Sequence, residues 1–282
     1  MSDTALVLGG GGVTGVAWEL GILTGLASAG VDVAKADLVV GTSAGSIVGT
    51  FVAAGVDLEA RYERQLAPAS GEIAARMGLP LLARYGWAML RSRDAASYGA
   101  RIGRLALAAA LTITEAERRE VIAARLGVTE WPERRLLITA IDASTGEFRA
   151  FDRSSGVSIL DAVGASCAVP GVWPPVTIEG HRWIDGGIRS ATNADLASGC
   201  SRIVLIAPIT FGGRGIPGVA GQAAALRSAG ADVVVISPDA AARQAIGRNV
   251  LDPARRAAAA RAGRTQATSI AEDVARVWTS SA

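Results

Sequence analysis

Histidine, cysteine and lysine are all scarce in this chain, and each shortage limits the chemistry open to it. Among 282 residues there is one histidine, His181, which excludes a histidine-rich metal site. The two cysteines, Cys167 and Cys200, form neither a disulfide framework nor a zinc-ligand spacing, and we expect both to lie in the interior. Lys35 is the only lysine, so the positive charge is almost all arginine. The residue inventory implies no metal and no cofactor.

Long apolar runs and an excess of charge are also missing. No uninterrupted apolar stretch reaches the roughly 18–20 residues that a bilayer-spanning helix needs. The first residues lack the basic flank of a secretory signal, so we expect a cytoplasmic protein, at most peripheral at a membrane. The formal net charge of +2 is too small to indicate a nucleic-acid partner. Because no repeat or interdomain linker interrupts the chain, we predict a single domain over residues 1–282.

Short apolar runs alternate with helical patterns in the first fifty residues. Ala5–Leu8 and Asp37–Val40 have the length of buried strands and end in glycine, whereas apolar residues recur at helical spacing over Val13–Ala29 and Ala44–Ala54. This order predicts an α/β fold in which helices cover a parallel sheet. Further strands are predicted at 136–140, 148–151, 202–206 and 232–236, a loop at 211–221 and a helix at 253–262.

The pattern changes between residues 58 and 126, which are helical in propensity and rich in arginine. We predict that residues 58–126 form a helical cap or insertion within the domain. For the part from Leu79 to Leu111 we consider two roles. Packing on the core as a cap is favoured over docking of an apolar, arginine-flanked face on anionic lipid, because an arginine-rich helix face is usually just solvated.

The strongest local motif is Gly41-Thr42-Ser43-Ala44-Gly45, a G-x-S-x-G between a predicted strand and a predicted helix. This is the setting of a nucleophile elbow, in which the serine occupies a tight strand-to-helix turn and projects its hydroxyl from the sheet edge. The following helix directs the positive end of its dipole at Ser43, which favours a developing oxyanion. Although the motif also arises by chance in glycine-rich chains, this context favours a nucleophilic serine.

A glycine loop follows the first predicted strand. The run from Gly10 to Gly15 satisfies G-x-G-x-x-G, and Asp32 and Asp37 follow at about the distance of the ribose-binding acid of a dinucleotide site. Alternatively, the backbone N–H groups of the loop, at a helix N-terminus, form an oxyanion hole. Acyl transfer needs both a nucleophile and an oxyanion cradle, so the motif at Ser43 favours the second interpretation.

A base for the serine is suggested by Asp185-Gly186-Gly187, which follows a probable strand end. Asp185 could accept the serine proton directly, as a Ser–Asp dyad. A Ser–His–Asp triad would need His181 to pair with an earlier acid such as Asp142 or Asp161, because α/β-hydrolases place the histidine last. For His181 we favour the simpler interpretation of a polar strand-end residue. The simplest alternative for Asp185 is a turn aspartate before two glycines.

These three motifs, in this order, resemble the patatin-like phospholipase family, which has a glycine-rich oxyanion loop, then G-x-S-x-G, then Asp-Gly-Gly or Asp-Gly-Ala. The segment Ala165–Pro170, followed by Pro174–Val176, is similar to the family's block before the aspartate, and Val233–Asp239 looks like a late strand of bacterial members. The resemblance runs from about Ala5 to Gly263. One departure is Thr14, where the family usually has arginine or lysine. Its loss of charge bears on rate and substrate preference more than on reaction class.

The resemblance implies a three-layer α/β/α sandwich around a mainly parallel sheet and a serine hydrolase of lipid acyl esters. The expected substrates are phospholipids, lysophospholipids or neutral glycerides. In the implied mechanism Asp185 deprotonates Ser43, and the N–H groups of Gly10, Gly11 and Gly12 hold the tetrahedral oxyanion. Acyl transfer to an acceptor other than water uses the same residues and stays open. A non-catalytic lipid-binding role and a nucleotide-binding protein also stay open at this point.

Overall fold

The structure is a computed structural model of the chain, and it describes residues 3–68, 74–213 and 216–279. Residues 69–73, in the predicted helical segment 58–126, and residues 214–215, in the predicted loop 211–221, lie outside these ranges. The first two residues, which contributed to the prediction that the chain has no secretory signal, also lie outside them. Eight strands occur in the described ranges: β1 (Thr4–Leu8), β2 (Leu38–Gly41), β3 (Arg135–Asp142), β4 (Phe148–Phe151), β5 (Val176–Ile178), β6 (His181–Asp185), β7 (Arg202–Ile206) and β8 (Asp232–Ile236).

All eight strands form one sheet with the order β5-β6-β3-β2-β1-β7-β8, and β4 also pairs with β3. Every pair from β3 through β2, β1 and β7 to β8 is parallel, whereas β4, β5 and β6 are antiparallel to their neighbours. The sheet is therefore mainly parallel, as predicted. The strands predicted from apolar runs are all present, with bounds that shift by two residues at most.

Helices connect the parallel strands, as short apolar runs flanked by helical patterns predict. The helices are α1 (Gly12–Ser28), α2 (Ala44–Ala53), α3 (Leu58–Leu66), α4 (Leu79–Leu90), α5 (Ala95–Leu107), α6 (Glu115–Leu126), α7 (Ile159–Ser166), α8 (Val219–Ser228), α9 (Ala240–Ile246) and α10 (Arg256–Trp278). The predicted loop at 211–221 is wrong at its end, because α8 already begins at Val219.

The sheet is buried on both faces, which gives three layers. In β1, Leu6 and Leu8 face a large core shared with α1, α2, α7 and α10, while Ala5 and Val7 face a second core that includes α8. Alternate residues of a strand point to opposite faces, so a strand covered on both sides is apolar throughout. This arrangement confirms the three-layer α/β/α sandwich.

The last helix is longer than predicted, because the predicted end at residue 262 is followed by sixteen further helical residues to Trp278. The polar residue Gln266 interrupts the apolar periodicity from which the helix was predicted. Its side chain is buried and satisfied, since it accepts from Trp18 Nε1 at 3.2 Å and donates to the Ser237 carbonyl at 2.7 Å. A polar side chain whose partners come from distant elements cannot be recognised as a core position by periodicity.

The segment 58–126 is helical in its described part, as predicted, but its helices have two different positions. Tyr62 of α3 and Ile122 of α6 belong to the large core. Tyr98 and Ile102 of α5 instead belong to a smaller core, with Ala88 of α4 and with Ile141 and Ile184 of the sheet. Thus α3 and α6 pack in the large core, and α4 and α5 in the smaller one. None of the helices in the described ranges is both long and apolar enough to cross a bilayer.

Candidate active site

The register of three strands brings Ser43 and Asp185 together. Gly41 of β2 lies opposite Ile138 of β3, and Asp185 of β6 lies opposite Ala140, two residues further along β3. Ser43 follows Gly41 by two residues, which brings it to the level of Asp185. The Ser43 side chain lies close enough to the Asp185 carboxylate to lower its pKa. Two residues that are 142 positions apart in the sequence therefore form one buried pair at the end of the sheet.

Ser43 has the strained backbone of a nucleophile elbow. Its φ of 52° and ψ of −113° lie in a region that non-glycine residues rarely adopt. The turn is tight enough to require glycine, because a Cβ on Gly45 would lie 2.0 Å from the Leu8 carbonyl oxygen. The side chain of Ser43 is 7% exposed and sits at the N-cap of α2, so the positive end of that helix dipole points at it.

The strained peptide of Ser43 is held by two consecutive residues at the end of α7. Its N–H donates to Ser166 Oγ at 2.9 Å, and its carbonyl oxygen accepts from Cys167 Sγ at 3.3 Å. The carbonyl also accepts from Ser46 Oγ at 2.7 Å. The backbone N–H and carbonyl of Ser43 are therefore both satisfied, which stabilises a conformation that costs of order 1–3 kcal/mol. The sequence marked this segment only by family resemblance, without a role for either side chain.

Asp185 lies in an environment that favours its neutral form. The residue is 6% exposed. Burial raises the pKa of its carboxyl to about 6, although the Ser43 side chain and the hydrogen bond from the Gly187 N–H act in the opposite direction. The Gly187 N–H lies 2.8 Å from Asp185 Oδ1 and fixes the orientation of the carboxylate. A carboxylate with a pKa near neutrality is a stronger base than an exposed aspartate, as proton transfer requires.

His181 lies at the opposite end of β6 from Asp185. The two are four positions apart in an extended strand, which corresponds to about 13 Å. The His181 ring contacts Asp142, with 2.7 Å between Nδ1 and Oδ2, and that carboxylate also accepts from the N–H groups of Ser144 and Thr145. His181 is thus the polar strand-end residue that the sequence suggested. Its pairing with an earlier acid exists, but it is Asp185, and not this pair, that lies beside Ser43.

The glycine loop lies beside Ser43. The N–H groups of its three predicted oxyanion donors differ in whether they already have a hydrogen-bond acceptor. A Cβ on Gly10 would lie 3.6 Å from Ser43 Cβ, so the loop contacts the nucleophile. The Gly10 N–H already donates to the Ala191 carbonyl at 2.7 Å. In the described ranges, the N–H groups of Gly11 and Gly12 have no backbone acceptor. This is expected at the first turn of α1, where no intrahelical partner exists.

The interpretation of this loop as a dinucleotide site does not fit the structure. Asp37 accepts hydrogen bonds from the Thr4 backbone at 3.0 Å and its hydroxyl at 2.8 Å, and therefore lies at the amino ends of β1 and β2. Asp32 accepts from the Ala34 N–H within a 3₁₀ turn. A ribose-binding acid must lie at the carboxyl ends of the strands, where the glycine loop lies. Neither aspartate meets that condition.

A buried polar network, not expected from the sequence, joins the serine turn to the aspartate turn. Thr139 Oγ1 donates to Thr42 Oγ1 at 2.9 Å. Asn193 Nδ2 contacts both hydroxyls and donates to the Gly186 carbonyl at 3.2 Å. Asn193 is fully buried and has a positive φ of 48°. Its chain neighbours gave no signal for this role, because the residues that it links come from three separate segments.

A narrow, largely apolar cavity of about 30 Å³ opens beside Ser43. Its apolar lining comes from α1, α2, the loop after α7 and the segment between α9 and α10: Val13, Val16, Ala44, Ile47, Cys167, Val169, Trp173 and Leu251. Arg118 and Arg125 of α6 also line it, and the Arg118 guanidinium lies 4.0 Å from the centre of the Trp173 ring. Positive charge near the nucleophile therefore comes from α6, whereas Thr14 donates to the Val250 carbonyl at 3.2 Å.

Helix α4 contacts the loop that follows α7. Tyr85 of α4 donates to the Pro170 carbonyl at 2.8 Å. Burial raises the pKa of Tyr85 above its usual range, and the charges of Tyr98 and Asp185 add to this. In the described ranges, no group of three His, Cys, Asp or Glu side chains is arranged to hold a metal ion.

Comparison with known proteins agrees with this geometry. The family model described as Patatin-like phospholipase matches residues 6–198. The chain belongs to the patatin-like phospholipase family. This match contains the glycine loop, the serine turn and the aspartate turn. Patatin-like phospholipases are ester hydrolases that act on lipids, so the chain is a carboxylic-ester hydrolase of the lipid acyl hydrolase class.

Two solved structures are similar to this patatin-like chain. VipD from Legionella pneumophila has 14% sequence identity and a TM-score of 0.48, over 96% of this chain and 67% of that one. The type III effector protein ExoU has 15% identity and a TM-score of 0.43, over 96% of this chain and 53% of that one. The chain therefore spans about two thirds of VipD and about half of ExoU.

Proposed function

We propose that this patatin-like protein hydrolyses lipid acyl esters with Ser43 as nucleophile and Asp185 as its base. The observation that carries the proposal is the placement of Ser43, by the register of β2, β3 and β6, beside the buried carboxylate of Asp185, whose pKa burial raises to about 6. Nucleophile and base in direct contact, with the base oriented by a third group, is the arrangement that covalent catalysis requires. Here the orienting group is the Gly187 N–H.

The reaction follows from these contacts. Asp185 accepts the hydroxyl proton as Ser43 Oγ forms a bond to the ester carbonyl carbon. When the tetrahedral adduct collapses, the bond to the leaving alcohol breaks and Asp185 returns the proton to that alcohol. Water then attacks the acyl-enzyme, gives its proton to Asp185, and releases the carboxylic acid as the proton returns to Ser43. No other titratable side chain is needed in either half of the reaction.

The oxyanion is held, in this proposal, by the N–H groups of Gly11 and Gly12. The expectation that Gly10 also donates needs correction, because its N–H is engaged with the Ala191 carbonyl at 2.7 Å. A Cβ on Gly12 would lie 2.5 Å from the Val250 carbonyl oxygen, and its φ is +60°, so glycine is required at this position. Each well-aimed donor contributes on the order of 3 kcal/mol to such a transition state.

The test is hydrolysis of p-nitrophenyl butyrate by wild type and three variants. We expect Ser43→Ala and Asp185→Asn each to lower kcat by at least about a thousandfold, since both remove a reacting group. His181→Ala is the matched comparison, because it removes the only imidazole but lies at the far end of β6. We expect it to keep wild-type activity. Loss of activity in His181→Ala with a folded protein would replace the dyad by a triad.

Contact with a lipid surface is the second part of the proposal, and it assigns that role to α4. Leu79, Trp87 and Leu90 are 81%, 59% and 70% exposed, an unusual clustering of large apolar side chains on one short helix. Phe211, 75% exposed, lies two residues before Gly213, which packs against Met89 of the same helix. The Arg91 guanidinium lies 5.3 Å from the centre of the Trp87 ring, which places a positive charge beside the apolar side chains. Apolar side chains with cations favour anionic lipid.

Vesicle sedimentation tests this contact separately from catalysis. With vesicles of phosphatidylglycerol we expect Trp87→Ser combined with Leu90→Ser to weaken binding by at least about tenfold, given the apolar area removed. Leu107→Ser is the control, because Leu107 is 44% exposed but lies on α5. Hydrolysis of the soluble nitrophenyl ester should remain unchanged in all of these variants. Equal binding of wild type and the double variant would remove α4 from the proposal.

A further inference from the structure

Asn193 lies at the N-cap of a short 3₁₀ helix, Ala194–Ala197, but its side chain makes no hydrogen bond to that helix. Its φ of 48° and ψ of 41° lie in the left-handed region, which asparagine tolerates better than most non-glycine residues. The residue is fully buried. Because the amide does not cap the helix that follows, its burial at this backbone position has to be explained by its other contacts.

The amide nitrogen of Asn193 faces the turns that carry the nucleophile and the base. Nδ2 lies 3.0 Å from the Ser190 carbonyl oxygen and 3.2 Å from the Gly186 carbonyl oxygen. It also lies 3.1 Å from Thr42 Oγ1 and 3.3 Å from Thr139 Oγ1. An amide nitrogen carries two hydrogens, so these four acceptors share them. The nitrogen is therefore fully engaged by groups that surround the Ser43 and Asp185 turns.

The contact with the Gly186 carbonyl bears most directly on the base. This carbonyl and the Gly187 N–H belong to one peptide group, and the N–H donates to Asp185 Oδ1 at 2.8 Å. One end of the peptide therefore holds the carboxylate, while Asn193 holds the other end. The Arg189 N–H also donates to this carbonyl, at 3.1 Å. Two donors on one carbonyl polarise the peptide and strengthen the hydrogen bond that its N–H makes.

The peptide between Gly186 and Gly187 depends on such outside contacts for its orientation. A Cβ on Gly186 would lie 2.3 Å from Thr139 Oγ1 and 2.5 Å from the Thr139 carbonyl oxygen, so glycine is required there. Glycine leaves the backbone torsions less restricted than any other residue does. A peptide between two glycines is therefore free to turn unless its surroundings hold it, and Asn193 contributes one of the two donors on its carbonyl.

A cation determines which way the Asn193 amide faces. Its Oδ1 accepts from Arg189 Nη1 at 2.8 Å, and a guanidinium can only donate. The amide oxygen must therefore face Arg189, and the nitrogen must face the carbonyls. Arg189 is itself held by Asp195, with 2.7 Å between Nη2 and Oδ2. A chain of hydrogen bonds thus runs from the guanidinium through the Asn193 amide and the peptide after Gly186 to Asp185.

We propose that Asn193 is a positioning residue for Asp185, and that it acts by holding the peptide of Gly187 so that its N–H stays aimed at the carboxylate. This inference rests on the proposed function, since it takes Asp185 as the base of Ser43. Without the amide, the peptide loses one of two donors on its carbonyl, and its N–H holds the carboxylate less firmly. Because that hydrogen bond favours the ionised carboxylate, its weakening should raise the pKa of Asp185.

Asn193→Gly tests the role, because glycine adopts the left-handed backbone without strain and removes only the amide. With p-nitrophenyl butyrate we expect kcat to fall by about tenfold or more, since the base is held less firmly, and KM to stay close to wild type. The inflection of kcat/KM should move from a pH of about 6 upward by at least about 0.5. A folded variant with the wild-type inflection would overturn the inference, whatever its kcat.

Thr192→Val is the matched control for a merely structural effect. Thr192 directly precedes Asn193, is fully buried, and its hydroxyl donates to Gln222 Oε1 at 2.5 Å. Valine removes this buried hydrogen bond and leaves the contacts of the Asn193 amide in place. We expect a lower free energy of unfolding with wild-type kcat and a wild-type inflection. The same upward shift in Thr192→Val would show that any loosening of this turn produces it, which would contradict a specific role for Asn193.

Arg189→Met tests the other end of the chain and covers the case that Asn193→Gly does not fold. The Arg189 side chain is 28% exposed, so its replacement is better tolerated than that of a fully buried residue. Methionine cannot donate to Asn193 Oδ1, and the amide is then free to turn. We expect the inflection to move upward by less than in Asn193→Gly, in assays at high salt, which screens the long-range effect of the lost charge. A wild-type inflection in Arg189→Met would overturn the chain of hydrogen bonds.

A direct titration of Asp185 separates this inference from the proposed function. The aspartate carboxyl groups are labelled with carbon-13 and followed by NMR against pH, and the Asp185 signal is assigned by its absence in Asp185→Asn. Asn193→Gly should raise the pKa of Asp185 by at least about 0.5, whether or not the protein hydrolyses the ester. An unchanged titration would overturn the inference. Hydrolysis retained in Asp185→Asn would overturn the proposed function instead, and the titration would still decide whether Asn193 holds the carboxylate.

Discussion

The Ser43 N–H donates to Ser166 Oγ at 2.9 Å, across a sequence separation of 123 residues. This hydrogen bond and the one from Cys167 Sγ to the Ser43 carbonyl oxygen together hold the backbone of Ser43 from both sides. Neither side chain has to touch the substrate for this effect. Both act on the backbone torsions of Ser43, which determine where its hydroxyl points. The end of α7 is therefore a positioning element for the serine.

Replacing Ser166 by alanine should misplace the nucleophile without weakening substrate binding. The variant leaves the buried Ser43 N–H without an acceptor, which costs about 1–3 kcal/mol at a strained position. We expect kcat to fall by about tenfold or more, because small misplacements of a reacting group are costly, and KM to stay close to wild type. Steady-state kinetics with p-nitrophenyl butyrate measure this. Ser198→Ala, an exposed serine, is the control. A change in KM alone would contradict a positioning role.

The activity should depend on pH through Asp185. Burial raises the pKa of this carboxyl to about 6, and only the ionised form can accept the serine proton. We therefore expect kcat/KM to fall as the pH drops below about 6 and to level off above it. A pH profile between 4.5 and 8.5, with circular dichroism at each pH to exclude unfolding, measures this. An inflection that disappears in His181→Ala would assign the titration to the histidine instead.

Glu19 of α1 should make the fold less stable as the pH rises. The residue is fully buried, and neither carboxylate oxygen has a hydrogen-bond partner among the described residues. Burial raises its pKa well above the usual range, and the nearby Gly9 N–H offsets only part of this. Because its pKa is raised in the folded state, Glu19 makes its full contribution to stability below the unfolded-state pKa of about 4.3. This contribution is lost as the pH rises through the folded-state pKa.

Glu19→Gln removes this titration while it keeps the shape of the side chain. We compare the free energy of unfolding of the variant with that of wild type. We expect this difference to be at least about 1 kcal/mol more favourable to the variant at pH 8 than at pH 5. Urea unfolding at the two pH values measures the change. Glu147→Gln is the control, because Glu147 is exposed. A gain of the same size at both pH values would show that Glu19 is not the titrating group.

Replacing Gly12 by alanine should be destabilising for two reasons, backbone strain and a steric clash. A comparison with Gly30 separates the two effects. Its φ is +60°, and an added Cβ would lie 2.5 Å from the Val250 carbonyl oxygen. Gly30 also has a positive φ, of +84°, but nothing lies within 4 Å of its added Cβ. We expect Gly30→Ala to cost only the backbone strain of about 1–2 kcal/mol and to keep activity. Gly12→Ala should cost more in thermal unfolding and lower kcat. Equal effects would remove the steric argument.

The sequence by itself determined the parallel strands of the sheet and the serine turn. Buried parallel strands are continuous apolar runs, and a strand-to-helix turn as tight as that at Ser43 needs glycine on both sides, so local patterns suffice for both. Family membership follows from the same motifs. Local patterns could not predict the full length of α10, because the polar side chain of Gln266 is buried only through partners on distant elements.

Only the tertiary structure decided which acid lies beside Ser43. The sequence favoured Asp185 and kept His181 as the alternative partner, and the pairing of β6 with β3 brings Asp185 to the level of the serine. It also decided that the Gly10 N–H is engaged by Ala191. Each of these depends on contacts between segments far apart in the chain. Strand register and helix packing fix such contacts, and neither can be read from the residues within one segment.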